Sequence, residues 1–371
     1  MTALTDTLAG SWRTTFGPLT LTASGRQFGG HYGDHGTLQG TLDGTTLRFD
    51  YEEPGERGTG HFTLKRAGRF VGQYLADGSD TPRPWIGERG WDGLYNTTFG
   101  RLRLLHTTNG VEGFYEAAGP AALQGRAEGD RLHFHYEEKS ANGEGYFVLA
   151  EDGESFTGQW RASGDEDWSD WTGTRMHAER GVQWLFVLEA HWQKSLADND
   201  YAFGDMLREV FARLANIRVR HRIFHDADSL AHWCRELMYL AEPSVLVIAS
   251  HGTERGLSVH GEIINTTRIM QSLATAETLK YLHFSACLIA NDEERTLKSP
   301  PFPVSGYTTS VDWGASAMIE FTLLDMVLNR GMTPDAAAAM LPKLVTYALD
   351  DAPKGSPYPA AGFRFFPAAA K

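Results

Sequence analysis

The placement of apolar residues divides the chain into an N-terminal and a C-terminal part. Up to about residue 175, short stretches such as Leu47-Arg-Phe-Asp-Tyr51 alternate between apolar and polar positions, and glycine-containing turns separate them. Period-two alternation with turns about every 8 to 12 positions is typical of antiparallel hairpins. The N-terminal part is therefore predicted to be all-β.

This all-β part contains an internal repeat. The segment Thr14-Thr-Phe-Gly17 recurs as Thr97-Thr-Phe-Gly100, an offset of 83 residues. The stretch Leu47-Arg-Phe-Asp-Tyr51 recurs as Leu132-His-Phe-His-Tyr136, an offset of 85 residues. Because the register is nearly constant over the whole unit, a duplication explains the match.

We predict one β-meander repeat over residues 1–89 and a second over residues 90–177. Each has room for about eight short strands, enough to close a small barrel. The rhythm of Gly-x-Trp and Gly-Gln-Trp resembles avidin-like or lipocalin-like meanders. The aromatic residues either fill the barrel interiors or line a ligand pocket or partner surface, and the interior is the commoner place for them.

A different pattern begins near residue 181. Val182-Gln-Trp-Leu-Phe-Val-Leu188 is almost continuously apolar, and strand-like runs then alternate with stretches of helical spacing. This order predicts right-handed βαβ crossovers and an α/β domain over 181–371, with a mainly parallel sheet and helices on both faces. The expected elements are strands at 182–188, 217–224, 245–249, 279–284, 304–311 and 362–367, and helices at 203–215, 229–241 (N-capped by Ser229), 267–276, 316–329 and 334–349.

Two reactive side chains follow neighbouring strands of this domain. The run 245–249 leads into Ser-His251-Gly252, and the run 279–284 leads into Ser-Ala-Cys287. Ligands of open α/β sheets bind beyond the carboxyl ends of the strands, where a cysteine beside a histidine supplies a nucleophile and its proton carrier. We therefore predict a catalytic pair. The alternative is two buried strand-end residues in an inert flavodoxin-like domain.

A hydrophobic strand ending in His-Gly, followed by one ending in Ala-Cys, resembles the clan CD cysteine peptidases, which include caspases, metacaspases, gingipains, separases and the CHAT group. The order of elements is similar over roughly residues 181–367. The resemblance implies a caspase-like fold, with Cys287 as nucleophile and His251 as the group that protonates the leaving amine. It also implies an oxyanion hole formed by the backbone N–H groups of Gly252 and Cys287. Ser285 and the residues after Cys287 depart from the caspase pattern, so the chain looks like a divergent caspase-like or CHAT-like protein.

The resemblance also places a substrate-binding S1 pocket near Ser285, Asp312 and Trp313. Because Asp312 is the only fixed charge among them, cleavage after Arg or Lys is expected. The equal alternative is that Asp312 caps the next helix. Arg295 and Lys298, in the polar segment after Cys287, are candidate self-cleavage sites, although a solvated loop explains them equally well.

The composition excludes some classes of binding partner and some cellular locations. The formal net charge of −13 argues against nucleic acid and anionic membrane surfaces. No apolar stretch is long enough to cross a bilayer, the N-terminus lacks the features of a signal peptide, and two cysteines suit a reducing compartment. We therefore expect a cytoplasmic protein, with no prediction of its oligomeric state.

Three further residues receive structural interpretations. Cys234 lies in an amphipathic helical stretch and is interpreted as a core thiol. His260 and His283 do not share with His251 and Cys287 the close repeated spacing of zinc motifs, so we expect no metal site and no cofactor.

The expected function is a cysteine endopeptidase that cleaves protein substrates. The β repeats would regulate it or bring substrate to it, by binding a ligand or a protein. Family resemblance alone implies a role in bacterial defence or programmed cell death. The alternatives are a catalytically inactive caspase-like pseudoprotease that binds partners through the β repeats, and a small-molecule hydrolase that uses the same pair.

Overall fold

The computed structural model describes residues 8–369 apart from 81, 108, 117–120, 180, 194, 196, 199–201, 295–296 and 346–359. The chain divides into two compact units, Met1–Gly181 and Val182–Lys371. No helix in the described part of the chain has the length and apolar character that a membrane crossing requires.

The first unit begins with a closed barrel of eight antiparallel strands. Each strand pairs with the next along the chain, and the last pairs with the first through Arg13 and Glu88. The prediction of a barrel in the first repeat is confirmed. Its strands are β1 (Gly10–Thr14), β2 (Gly17–Ser24), β3 (Gln27–Tyr32), β4 (Gly36–Asp43), β5 (Thr46–Glu53), β6 (Glu56–Arg66), β7 (Arg69–Ala76) and β8 (Arg83–Glu88).

A second barrel follows in the same unit, and its barrel prediction is also confirmed. In it, β15 pairs with β14, with the short β16 and with β17, and β17 closes the barrel on β9. Its strands are β9 (Gly93–Thr97), β10 (Gly100–Thr107), β11 (Gly110–Tyr115), β12 (Ala121–Glu128), β13 (Arg131–Glu138), β14 (Asn142–Leu149), β15 (Ser155–Ala162), β16 (Ser169–Asp170) and β17 (Gly173–Met176).

Aromatic side chains fill both barrel interiors. In the first barrel, Trp85 packs against surrounding aromatic rings at centroid separations of 4.7 to 6.4 Å. Trp171 has the equivalent position in the second barrel and is 3% exposed. The two indole N–H groups donate to the hydroxyls of Thr14 and Thr97, each at 3.0 Å. The duplicated aromatic pattern therefore encodes two barrel cores with the same internal anchor.

The second unit is built on a six-stranded sheet in the order β19-β18-β20-β24-β25-β26. All neighbours in it are parallel except the edge strand β26, which runs antiparallel to β25. Its strands are β18 (Gln183–Ala190), β19 (Ile217–Phe224), β20 (Ser244–Ala249), β24 (Leu279–Ser285), β25 (Val304–Tyr307) and β26 (Phe363–Phe366).

Successive side chains of the central strands enter two separate apolar cores, one on each face of this sheet. Leu246 and Ile248 of β20 face the first core, whereas Val245 and Val247 face the second. Strands buried on both faces explain the continuous apolar runs in the sequence. Helices α2 (Ala227–Glu236) and α3 (Thr266–Ser272) cover the first core, and α1 (Phe203–Phe211), α4 (Trp313–Leu324) and α5 (Pro334–Leu344) cover the second.

Several element boundaries differ from the sequence prediction. Helix α2 starts earlier than predicted because Asp226, not Ser229, is its N-cap. The Asp226 carboxylate accepts from the Ser229 backbone N–H, and the Ser229 hydroxyl accepts from the N-cap backbone. Helix α4 starts at Trp313 and continues as one π-helical turn over Asp325–Asn329. Residues 346–349 of the predicted last helix lie outside the described residues.

The glycine-bounded segment after His251 forms a small separate sheet of three antiparallel strands. These are β21 (His251–Thr253), β22 (Gly256–Val259) and β23 (Glu262–Ile264). The small sheet begins directly where β20 leaves the main sheet, so the candidate histidine belongs to a β-hairpin and not to a loose loop.

Candidate active site

The register of two neighbouring parallel strands carries His251 and Cys287 to the same edge of the sheet. Ala249, the last residue of β20, pairs with Ser285, the last residue of β24. Beyond this pair, the Ser250 N–H donates to the carbonyl oxygen of Ser285 at 3.2 Å. His251 and Cys287 each lie two positions beyond the matched pair, so they leave the sheet at equivalent positions.

The backbones of the two strand ends are in contact at Gly252. A Cβ atom at this position would lie 2.0 Å from the carbonyl oxygen of Cys287 and 2.9 Å from its nitrogen. Real Cβ atoms do not approach other atoms this closely, so only glycine fits. The glycine of the His-Gly pair is thus required by its packing against the Cys287 backbone.

Cys287 is partly exposed, and its sulfur has a defined contact. The Val311 backbone N–H donates to Sγ at 3.4 Å, which orients the thiol against the segment that leads into α4. The next residue, Leu288, has a left-handed backbone with φ of 62°. This conformation is unfavourable for a branched side chain, and such strain is concentrated at functional sites.

One tryptophan contacts the candidate histidine, and a second packs against the first. The exposed His251 ring meets the Trp192 ring edge to face, with centroids 4.9 Å apart. Trp192 in turn packs against Trp313 at 5.6 Å, and Trp313 is 49% exposed. Trp192 was not predicted as a site residue. The signal available in the sequence was its place just after β18, at the same end of the parallel sheet.

A buried carboxylate holds Trp192 in place. Glu189 of β18 is fully buried and accepts from the Trp192 indole N–H. The same carboxylate accepts the backbone N–H groups of Phe203 and Gly204, both at 2.8 Å, at the start of α1. His221 lies 2.8 Å away, and its hydrogen bond with Glu189 raises the pKa of that histidine. The Glu189 carboxylate therefore links β18 to Trp192 and to the start of α1.

A second polar network lies under the cysteine strand. His283 of β24 is fully buried, with Nδ1 2.7 Å from the Ser305 hydroxyl and Nε2 3.2 Å from Glu320 of α4. The Tyr307 hydroxyl donates to the same Glu320 carboxylate at 2.9 Å, and burial raises the pKa of Tyr307 well above its usual value. His283 therefore joins β24, β25 and α4 and lies in the core.

The predicted S1 residues have mixed environments. Asp312 is the N-cap of α4, and its Oδ1 accepts from Gly314 N at 2.9 Å and Ala315 N at 3.1 Å. Ser285 is half-buried next to the cysteine. Trp313 packs against Trp192, and we call this pair of rings the aromatic rim. The capping alternative for Asp312 thus describes its contacts.

The remaining candidate residues of the sequence analysis lie in different environments. Lys298 is exposed, whereas Arg295 lies outside the described residues. Cys234 of α2 is buried, and burial raises the pKa of its thiol to about 12, in agreement with a core role. His260 lies in the turn between β22 and β23, close to His191 and His225.

No protein-family model matches the chain, and a search of curated proteins found no similar sequence. The paired strand ends at His251 and Cys287, with the aromatic rim beside them, are therefore the basis for a functional assignment.

Proposed function

We propose that this protein is a cysteine endopeptidase of caspase-like type, in which His251 and Cys287 act together on a peptide bond. The observation that carries the proposal is the contact between the two strand ends. Gly252 lies against the backbone of Cys287, and the strands before them are in matched register. Two residues of complementary chemistry thus share one edge of a parallel sheet, where ligands bind.

The reaction follows from these positions. The Cys287 thiolate attacks the peptide carbonyl carbon, forming a C–S bond and a tetrahedral oxyanion. The His251 imidazolium then gives its proton to the leaving amine as the C–N bond breaks, which leaves a thioester. Neutral His251 next takes a proton from water. The resulting hydroxyl adds to the thioester carbonyl, and the C–S bond breaks to release the acid and the thiolate.

Backbone N–H groups of Gly252 and Cys287 would stabilise the oxyanion in both steps. One such donor contributes roughly 3 kcal/mol to the transition state when it is held in place beforehand. The close approach of Gly252 to Cys287 fixes the relative position of the two groups. Since a larger residue at 252 would push them apart, the glycine has a direct reason to be there.

The rim gives the site a surface for a peptide. Trp313 is half-exposed next to Trp192, and the two rings present apolar area beside His251. We propose that they contact substrate side chains, and that Ser285 and Asp312 contribute to the S1 pocket with a preference for Arg or Lys. The Asp312 cap does not remove its negative charge. The β repeats would bind a regulator or position a protein substrate.

A fluorogenic peptide panel with a thiol-reactive probe tests the proposal. Full-length protein should cleave peptides with basic P1 residues, and Cys287→Ala and His251→Ala should each abolish turnover. His232→Ala is a matched control, because His232 is exposed on α2 and is not part of the site. Fastest turnover of an Asp-P1 peptide would contradict the basic preference. Absence of both cleavage and Cys287 labelling would favour a pseudoprotease.

A further inference from the structure

Three histidines meet at the same end of the parallel sheet, and the proposed protease mechanism uses none of them. His191 follows β18, His225 follows β19, and His260 lies in the turn between β22 and β23. Each offers a ring nitrogen, and these three atoms all lie within 4.8 Å of one another. The residues are 34 and 35 positions apart along the chain, so no local motif reveals them.

The main sheet positions two of these rings. Ala190 pairs with Phe224 at the last register position of β18 and β19, and the His191 N–H donates to the Phe224 carbonyl oxygen at 3.0 Å. His191 and His225 therefore leave the two strands side by side, and their ring centroids are 5.2 Å apart. Matched ends of neighbouring parallel strands bring the backbones of His251 and Cys287 to the same edge in the same way.

The third ring comes from a tight turn that projects towards the first. His260 has a left-handed backbone with φ of 47°, and Gly261 follows with φ of 88°. Two left-handed residues in succession form the two-residue turn that favours a hairpin. The turn places the His260 ring 5.5 Å from the His191 ring, so His191 lies in contact with both other histidines.

The spacing is close to that of a bound transition-metal ion. With Zn–N bonds of about 2.0 to 2.1 Å and tetrahedral angles, ligand nitrogens lie roughly 3.3 Å from each other. The nitrogen–nitrogen separations, which are at most 4.8 Å, have to shorten by up to about 1.5 Å. Rotation of the histidine side chains can supply this change. His225 and His260 are exposed and His191 is half-exposed, so these rotations meet little packing resistance.

We propose that His191, His225 and His260 form a binding site for a divalent transition-metal ion of the Zn²⁺, Ni²⁺ or Cu²⁺ class. Neutral imidazole suits these ions, whereas Mg²⁺ and Ca²⁺ prefer oxygen ligands. Three protein nitrogens leave one position of a tetrahedral ion open to water or to a ligand from solution. Sequence spacing predicts no metal site here, because the three histidines are far apart along the chain.

Cobalt titration of the full-length, untagged protein tests the site. Co²⁺ bound by three imidazoles gives visible absorption bands typical of a tetrahedral ion, and Zn²⁺ should displace it. We expect one ion per chain. His191→Asn, His225→Asn and His260→Asn should each weaken binding by about tenfold or more, since even loss of a residue that only supports a metal ligand weakens binding 10- to 100-fold. Asparagine also tolerates the left-handed backbone at position 260.

Two control variants separate this site from its neighbours. His232→Asn removes an exposed histidine of α2 and should leave Co²⁺ affinity unchanged. Cys287→Ser should also leave it unchanged. A near-ultraviolet sulfur-to-cobalt band, lost in Cys287→Ser together with the binding, would overturn the assignment. Wild-type affinity in any one of the three histidine variants would equally overturn the three-ligand site.

A thermal measurement keeps the test valid if a variant is destabilised. Zn²⁺ binds the folded site and should raise the Tm of the wild-type protein, because a ligand of the native state stabilises it. The rise should disappear in each histidine variant, whatever its own starting Tm. An equal rise in wild type and in all three variants would place the ion elsewhere.

Discussion

Substitution of Gly252 by alanine is the sharpest perturbation that the candidate site offers. The added Cβ would lie 2.0 Å from the carbonyl oxygen of Cys287, whereas real Cβ atoms essentially never approach closer than 3.0 Å. The two strand ends must therefore separate by about 1 Å. A misplacement of this size at a catalytic site lowers the rate about 100-fold, because the reacting groups lose their alignment.

The same overlap affects stability. Forcing an extra carbon into a packed contact destabilises a protein by about 1 to 3 kcal/mol. In a domain of this size, 1 kcal/mol corresponds to about 2 to 4 °C in Tm, so Gly252→Ala should lower Tm by about 2 to 12 °C. The assay is kcat/KM on a cleaved peptide together with thermal unfolding, and the rate of Cys287 alkylation is the readout that needs no substrate.

Gly29→Ala is the matched control. A Cβ at Gly29 would have Thr22 Oγ1 as its nearest atom at 3.6 Å, which is an ordinary contact. This variant should keep wild-type turnover, alkylation rate and Tm. If Gly252→Ala also keeps all three, the strand ends are not in contact. If it loses stability but retains turnover, the backbone at 252 does not take part in the reaction.

Three further predictions concern buried groups of the α/β unit. Glu320→Ala should lower the free energy of unfolding by about 1 to 3 kcal/mol in urea titrations, since it leaves the buried Tyr307 hydroxyl without its acceptor. An unchanged free energy of unfolding would contradict this hydrogen bond. Glu189 raises the pKa of His221, so this ion pair stabilises the fold fully below the ordinary histidine pKa of 6.5 and less as pH rises through the raised value. Wild type should therefore exceed His221→Gln in urea midpoint by more at about pH 6 than at about pH 9, and an equal difference would refute the pairing. Iodoacetamide should modify one thiol per native chain and two after denaturation, because Cys234 is buried and burial raises the pKa of its thiol to about 12. Mass spectrometry locates the label, and labelling of Cys234 in native protein would contradict its burial.

The sequence was informative where a structural element has a local pattern. Period-two alternation and the duplicated segments predicted both barrels, because one face of each strand is buried in its own interior. Continuous apolar runs predicted β18, β20 and β24, since these strands are buried on both faces. The sequence positions at which β20 and β24 end then identified His251 and Cys287 as candidate site residues.

The sequence was less informative where distant or competing groups decide the outcome. Asp226 and Ser229 are both good N-cap residues, and the periodicity of the helix does not choose between them. Trp192 reaches His251 from a different strand end, through a side-chain contact that no spacing rule contains. The three histidines gather only once sheet order and the β22–β23 turn are known.

Strand order gives these separate observations a common cause. In the order β19-β18-β20-β24, the first two strands deliver His225 and His191, and the next two deliver His251 and Cys287. Trp192 follows His191 directly and its ring contacts His251, so it lies between the two pairs. A metal ion held by His191 would restrain the backbone next to that tryptophan. Peptidase and labelling assays therefore need arms with chelator and with added Zn²⁺. A zinc effect on Cys287 alkylation that vanishes in His225→Asn would assign the effect to the histidine site, because His225 has no place in the proposed peptidase chemistry.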